Sequence, residues 1–343
     1  MKNLFTTYIA GTAIASVLAM GLAACGTSRG QADEQSDAAA DSLDAPVMAF
    51  DADSAFAYME RQVAFGPRVA GTKANRNCAG YLVAELGRHG ADTVMVQEGT
   101  VVPFTGTPIG IQNIMGRFNS DARDRILLVA HYDTRPWADA DDTEEYRNLP
   151  IDGANDGASG VGVLLEVARV IGKKAATLPV GVDILFVDAE DYGQASGFSS
   201  HEESWALGTQ YWTAHMPYES SALPRYAVLL DMVGGMDAKF HREYFSCQSA
   251  PQIVDKVWGI AAHSGYGDRF LNVDGGAVVD DHVFLNRAGI PAIDIIETKN
   301  DVTKSFNPTW HTMNDNMDHI DKTTLKAVGQ TVLNTLTAEK PKK

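Results

Sequence analysis

The chain of 343 residues carries 44 acidic against 28 basic side chains, a formal net charge of −16, and 45% of its residues are apolar. Such an acidic balance excludes nucleic acid and anionic membrane surfaces as partners, because both repel the bulk of the surface. The length suits a single large α/β domain, a class that runs well past the common range of about 100–200 residues.

The first segment stands apart from any fold. Lys2 supplies positive charge, residues 8–22 are apolar, and Leu22-Ala23-Ala24-Cys25 closes the stretch. This is a secretory signal, too short for a bilayer span of about 20 apolar residues. A cysteine directly after small residues resembles a bacterial lipobox. In that family of signals Cys25 is lipidated and becomes the new N-terminus, so the chain is expected to be an exported lipoprotein, anchored to a membrane only through that lipid and facing the periplasm or cell exterior. The residues that follow, rich in Ala, Ser, Asp and Gln, bury too little surface to fold and read as a tether. The expected organisation is a signal peptide over 1–24, a lipidated cysteine and tether over 25–48, and one catalytic domain over 49–343. An oxidising compartment permits a disulfide between Cys78 and Cys247, but both equally suit small buried hydrophobes.

Within the domain, 54–65 and 73–89 have helical apolar spacing, broken by Gly66-Pro67-Arg68. Residues 93–104, 110–118 and 126–131 read as successive strands, the last almost wholly apolar. A helix over 158–171 precedes a buried strand over 182–187. Then come a helix over 207–215, a strand over 226–230, a helix over 251–263, a strand over 291–296 and a closing helix over 322–338. The alternation predicts a three-layer α/β/α fold around a mixed, largely parallel sheet, with the early consecutive strands adding an antiparallel part.

Polar residues placed just after apolar runs converge at the carboxyl edge of such a sheet. His131, Asp156, Glu190, Asp191, Asp231 and His311 are so placed. Asp156, Asp191 and His311 can supply a three-ligand zinc site with an open position, and Glu190, beside a ligand, is the natural proton carrier. His131 can ligate a second metal while Asp133 orients an imidazole from behind; Asp231 can complete that second position, with Asp156 bridging two ions about 3.5–4 Å apart. Asp280 and Asp281 also suit the cap of a helix starting near His282. His201, His215, His241, His263 and His319 read as surface or satisfied core residues, and the acidic stretch 139–145 as a solvated loop.

The set His131-Tyr132-Asp133, Asp152-Gly153-Ala154-Asn155-Asp156-Gly157-Ala158-Ser159-Gly160, Asp188-Ala189-Glu190-Asp191 and Trp310-His311-Thr312 resembles the zinc aminopeptidase clan that includes the glutaminyl-peptide cyclotransferases. The cyclotransferase branch is suggested by Trp310 before His311, by Asp280-Asp281-His282 followed by Gly289-Ile290-Pro291, and by Gly66-Pro67-Arg68-Val69-Ala70-Gly71 before a helix. Trp205 with Leu207-Gly208-Thr209-Gln210-Tyr211-Trp212 resembles the bacterial members.

The resemblance implies that Asp156, Asp191 and His311 hold one zinc ion and that Glu190 is the acid/base. It also implies that Asp231 and Asp280 are catalytic hydrogen-bonding carboxylates and that Trp205 and Trp310 line the pocket. Vertebrate cyclotransferases have a Glu-Glu pair where this chain has Glu190-Asp191, which shortens one ligand by a methylene and keeps its type. The implied partners are peptide or protein N-termini bearing glutamine, closed to pyroglutamate with loss of ammonia. In the mechanism expected from these groups, Asp231 and Asp280 share a short hydrogen bond. Two other readings stay open: a two-zinc aminopeptidase using His131 and Asp231 as further ligands, and a surface binding protein without activity.

Overall fold

A computed structural model describes residues 48–174, 177–195 and 202–341, so the signal sequence, Cys25 and nearly all of the tether lie outside the described residues, as does His201. Its centre is a six-stranded sheet. In chain order the strands are β1 (Thr93–Val101), β2 (Ile109–Phe118), β3 (Arg125–His131), β4 (Gly181–Val187), β5 (Ala227–Leu230) and, after two short strands outside this sheet, β8 (Ala292–Ile295). The spatial order is β1-β2-β4-β3-β5-β8. β1 and β2 run antiparallel to each other, and β2 antiparallel to β4, whereas β3, β4, β5 and β8 are mutually parallel. The mixed, largely parallel sheet expected from the alternation is what forms.

The apolar side chains explain the layers. Every residue of β3 and β4 is buried, and alternate residues face opposite sides of the sheet. Ile126, Leu128 and Ala130 join Val182, Ile184 and Phe186 in one core with the helices α1 (Ala52–Val63), α3 (Ala158–Gly172) and α8 (Lys322–Thr337). Leu127 and Val129 join Leu185, Val187, Trp212 and Leu285 in a second core beneath α4 (Leu207–Ala214) and α7 (Asp281–Arg287). Strands wetted on one side would show half this pattern, so the continuous runs are the mark of an interior covered on both faces.

Local signals set the helix ends. The Asp51 carboxylate accepts from the amides of Asp53 and Ser54 and starts α1 two residues before the expected position. Asp321 caps α8 through the Thr323 amide. The expected strand 93–104 ends at Val101, because Pro103 has no N–H for a ladder. The helices α2 (Lys73–Arg88) and α6 (Pro251–His263) lie where their spacing places them. Three elements escaped the pattern: β6 (Phe240–Arg242) and β7 (Phe270–Asp274), which pair in a small parallel sheet, and α5 (Tyr244–Ser249), all too short to show a period. Cys78 is buried and Cys247 half-buried, and both are free thiols, so no disulfide staples the domain.

Candidate active site

β4 lies on one side of β3 and β5 on the other, and the segments leaving all these parallel strands open at one edge of the sheet. A cavity of about 470 Å³ sits there. Asp156, Glu190, Asp191, Trp205, Asp231, Asp280, Trp310 and His311 all line it. Of the residues expected at the site, only His131 and Asp133 stand behind the wall.

Asp156, Asp191 and His311 each offer one donor atom, and the three lie within 4.8 Å of one another. His311 Nε2 is 3.2 Å from Asp191 Oδ1 and 3.6 Å from Asp156 Oδ2. The far oxygen, Asp191 Oδ2, is buried without a hydrogen-bond partner. Burial and the Asp191 charge push the Asp156 carboxyl up to about 6, a repulsion that a dication between the carboxylates relieves. Two carboxylate oxygens and one imidazole nitrogen form a zinc donor set that leaves a fourth position open. The other oxygen of Asp156 faces a second group: His131 Nε2 lies 3.1 Å from Asp156 Oδ1 and 3.0 Å from Asp231 Oδ1. Their donor atoms also fall within 4.8 Å.

The ligand loops are held by further acids, of which the sequence did not single out Asp315. Asp315 accepts the amides of Asn155 and Asp156 at 2.7 and 3.0 Å. Asp133, expected behind an imidazole, lies 3.5 Å from His131 Nδ1 but chiefly accepts the amides of Glu190 and Asp191 at 3.0 and 3.2 Å. It thereby fixes the turn that presents both carboxylates. Asp188 points away from the cavity and binds the Tyr132 hydroxyl, Asn75 Nδ2 and the Gln112 amide. Gly157, at φ +99°, opens α3 where a Cβ would lie 2.5 Å from the Asp133 carbonyl, so the close approach of these two loops requires glycine.

The acidic stretch 139–145 is not merely solvated. Asp139 receives both arms of Arg135 at 2.7 Å and faces His311 Nδ1 at 3.3 Å, which leaves Nε2 turned toward the other ligands. Asp141 accepts the Met313 amide. Arg135 also reaches the Asp191 carboxylate at 3.3 Å and lies 5.1 Å over the rings of both Trp137 and Trp205. Trp205 stacks near His311 at 6.2 Å, and a Cβ at Gly193 would fall 1.8 Å from its indole, so the indole's place depends on that glycine. Trp310 stacks on His311 at 3.7 Å.

Glu190 is buried, and its carboxyl makes no hydrogen bond to any described residue. Burial, then the charge of Asp280, push it well above the usual carboxylate range. Asp231 is turned to His131, while Asp280 Oδ1 caps α7 through the Asp281 amide at 2.5 Å and its Oδ2 has no partner. The cap and the site position therefore belong to one residue. Burial and Asp231 together raise Asp280 to about 6. Behind it His282 Nε2 meets Glu243 at 3.1 Å, and His282 Nδ1 faces Asp294 at 3.6 Å. Of the other histidines read as bystanders, His215, His263 and His319 bond to neighbouring turns, whereas His241 Nδ1 is buried without a hydrogen-bond partner among the described residues and so does not fit a satisfied core role.

Backbone strain gathers at the same edge. Ala189, Ala206, Met232, Lys304 and His311 adopt positive φ without being glycine, and each lines the cavity or adjoins a residue that does.

A two-faced α/β sheet with carboxylate and histidine donors converging at its carboxyl edge defines a metal-dependent hydrolase or acyl-transfer fold. Residues 113–336 match the model of peptidase family M28, and the chain belongs to that family. The glutaminyl cyclase of Bacteroides thetaiotaomicron, solved with N-acetylhistamine, is 48% identical, covers 86% of this chain and 100% of its own, and superposes with a TM-score of 0.82. A Zn-dependent exopeptidase from Parabacteroides distasonis is 46% identical over 86% of this chain and 100% of its own, with a TM-score of 0.81. The glutaminyl-peptide cyclotransferase of Bos taurus is 25% identical over 247 residues, 64% of each chain, so the match spans under two thirds of that relative. Zinc is the metal that this family and this donor set define.

Proposed function

We propose that this protein is a glutaminyl-peptide cyclotransferase, closing an N-terminal glutamine to pyroglutamate and releasing ammonia. The observation that carries this reading is the buried Glu190 carboxyl, without a hydrogen bond to the described residues, beside the three metal donors in a cavity walled by Trp205 and Trp310. Zinc held by Asp156, Asp191 and His311 supplies Lewis acidity at the γ-carbonyl of the glutamine. Glu190 takes a proton from the attacking α-amine as the new C–N bond forms, then returns it to the departing amide nitrogen, which leaves as ammonia. A carboxyl with a raised pKa suits both halves of that exchange. Asp280 and Asp231 accept N–H groups of the substrate, and the tryptophans exclude water that would otherwise compete for the carbonyl. One specific observation favours a second reading, a two-zinc aminopeptidase: the His131, Asp156 and Asp231 group sits where a second ion would bridge through Asp156. Mass spectrometry of a Gln-initiated peptide separates them. Loss of about 17 Da from an intact peptide, with one zinc per chain, supports cyclisation, and release of free glutamine overturns it.

The same reading places the catalytic domain outside the cytoplasm, tethered through a lipid on Cys25 after removal of residues 1–24. Its support is the Leu22-Ala23-Ala24-Cys25 sequence after an apolar stretch. Replacement of Cys25 by Ser should move the protein from the membrane fraction to the soluble fraction; retention in the membrane would rule the anchor out.

A further inference from the structure

The cavity separates its charges by depth. Its floor holds the buried carboxyls of Asp156, Glu190, Asp191, Asp231 and Asp280. The lysines and arginines that line it, among the described residues, are Lys299 and Lys304, both exposed and both on the segment that joins β8 to Trp310 and His311. Each ammonium is held by one neutral carbonyl, Lys299 by Asp274 and Lys304 by Asp301, both at 2.7 Å. Neither makes an ion pair with a carboxylate of the described residues, whereas Lys239, Lys256 and Lys322 are paired with Asp301, Glu339 and Asp53. The loop is closed by hydrogen bonds from the Asn300 amide to the Ser305 carbonyl and from the Lys304 amide to the Asn300 carbonyl. Lys304 sits within it at φ 59°, a region that glycine or asparagine ordinarily takes. Two positive charges thus stand at the mouth of an acidic cavity without a direct ion pair to a carboxylate of the described residues.

Resting on the cyclotransferase reading, the glutamine end of a substrate occupies the floor and the rest of the peptide leaves past this rim. We propose that Lys299 and Lys304 form a cationic rim that selects substrates carrying a carboxylate immediately after the glutamine, as an Asp or Glu side chain or as the chain terminus of a dipeptide. The net negative charge of the protein does not cancel this, because screening beyond about 8 Å leaves the nearest charges dominant. The test is ammonia release from Gln-Glu-NH2, Gln-Ala-NH2, Gln-Lys-NH2 and free Gln-Ala, by the zinc-loaded enzyme and by the Lys299→Ala/Lys304→Ala variant, at about 50 and about 500 mM salt. At low salt kcat/KM for Gln-Glu-NH2 should exceed that for Gln-Lys-NH2 by roughly five- to twentyfold, shrinking toward one at high salt and in the double variant. A gain for Gln-Glu-NH2 identifies the side chain as the carboxylate that is read, and a gain confined to free Gln-Ala over its amide identifies the terminus; either supports the rim. Equal rates in the parent enzyme, or a preference that survives in the double variant, overturn the rim and leave cyclisation standing. No ammonia from any peptide overturns both.

Discussion

Buried acids occur at both ends of the central sheet, and they are treated in opposite ways. At the amino end of β4, Asp183 is fully buried yet wholly satisfied: Arg125 donates to it at 2.9 and 2.7 Å, Arg117 at 3.2 Å and the Tyr218 hydroxyl at 2.5 Å. At the carboxyl end, Asp191 Oδ2 and Asp280 Oδ2 have no partner and Glu190 makes no side-chain hydrogen bond to the described residues. A buried charge without partners costs several kcal/mol, so a fold retains such groups where a ligand completes them. At these positions the difference separates a structural acid from acids at the site although all are buried: Asp183 has its acceptors filled by its own chain, and Glu190, Asp191 and Asp280 line a cavity.

The comparison is broken most severely by a change at the functional end. Glu190→Gln should lower kcat by about 10²–10⁴-fold while the circular dichroism and melting temperature stay near those of the parent. Near-normal turnover in a folded variant would remove Glu190 from the acid/base role. The converse is expected at the structural end. Arg125→Met strips Asp183 of its main partner and should cost about 3–5 kcal/mol of stability in denaturant unfolding, with kcat of the remaining folded enzyme little changed. A comparable fall in kcat would show that the two ends are not independent.

A smaller effect sharpens the boundary between them. Asp133→Asn keeps the shape but loses one acceptor for the Glu190 and Asp191 amides, and should reduce kcat/KM by about tenfold through loss of positioning. An unchanged kcat/KM would mean that the turn holds itself.

The smallest effect lies away from both ends. His89 is buried against the Tyr58 hydroxyl at 2.9 Å, and burial, then the Arg88 charge, lower its pKa to about 4. A histidine whose folded pKa is depressed adds stability that is complete above its unfolded pKa of about 6.5 and is lost as the pH falls toward 4. The loss should be on the order of 1–2 kcal/mol between those values, and His89→Gln should flatten that part of the pH–stability curve. A curve unchanged by the substitution would assign the acid lability to other groups.

What the sequence determined by itself were the features written in contiguous residues. The apolar runs of β3 and β4 announced a sheet covered on both faces, because burial on both sides removes any alternation. The acids and histidines just beyond those runs marked the site edge, because parallel strands bring their carboxyl ends together whatever the loops do. Helices with a capping residue, such as α8 after Asp321, were legible to within a few residues. Tertiary structure alone decided which acid does what. Asp139 and Asp315 look like loop acids in the sequence, and only contacts across some 160 residues or more make them supports for His311 and Asp156. Asp231 and Asp280 pass for equal partners in sequence, yet one turns to His131 and the other starts α7, a division visible only once the loops have packed. The choice between a satisfied and an open carboxylate is one of direction in space, and residue order fixes direction only after the chain has packed.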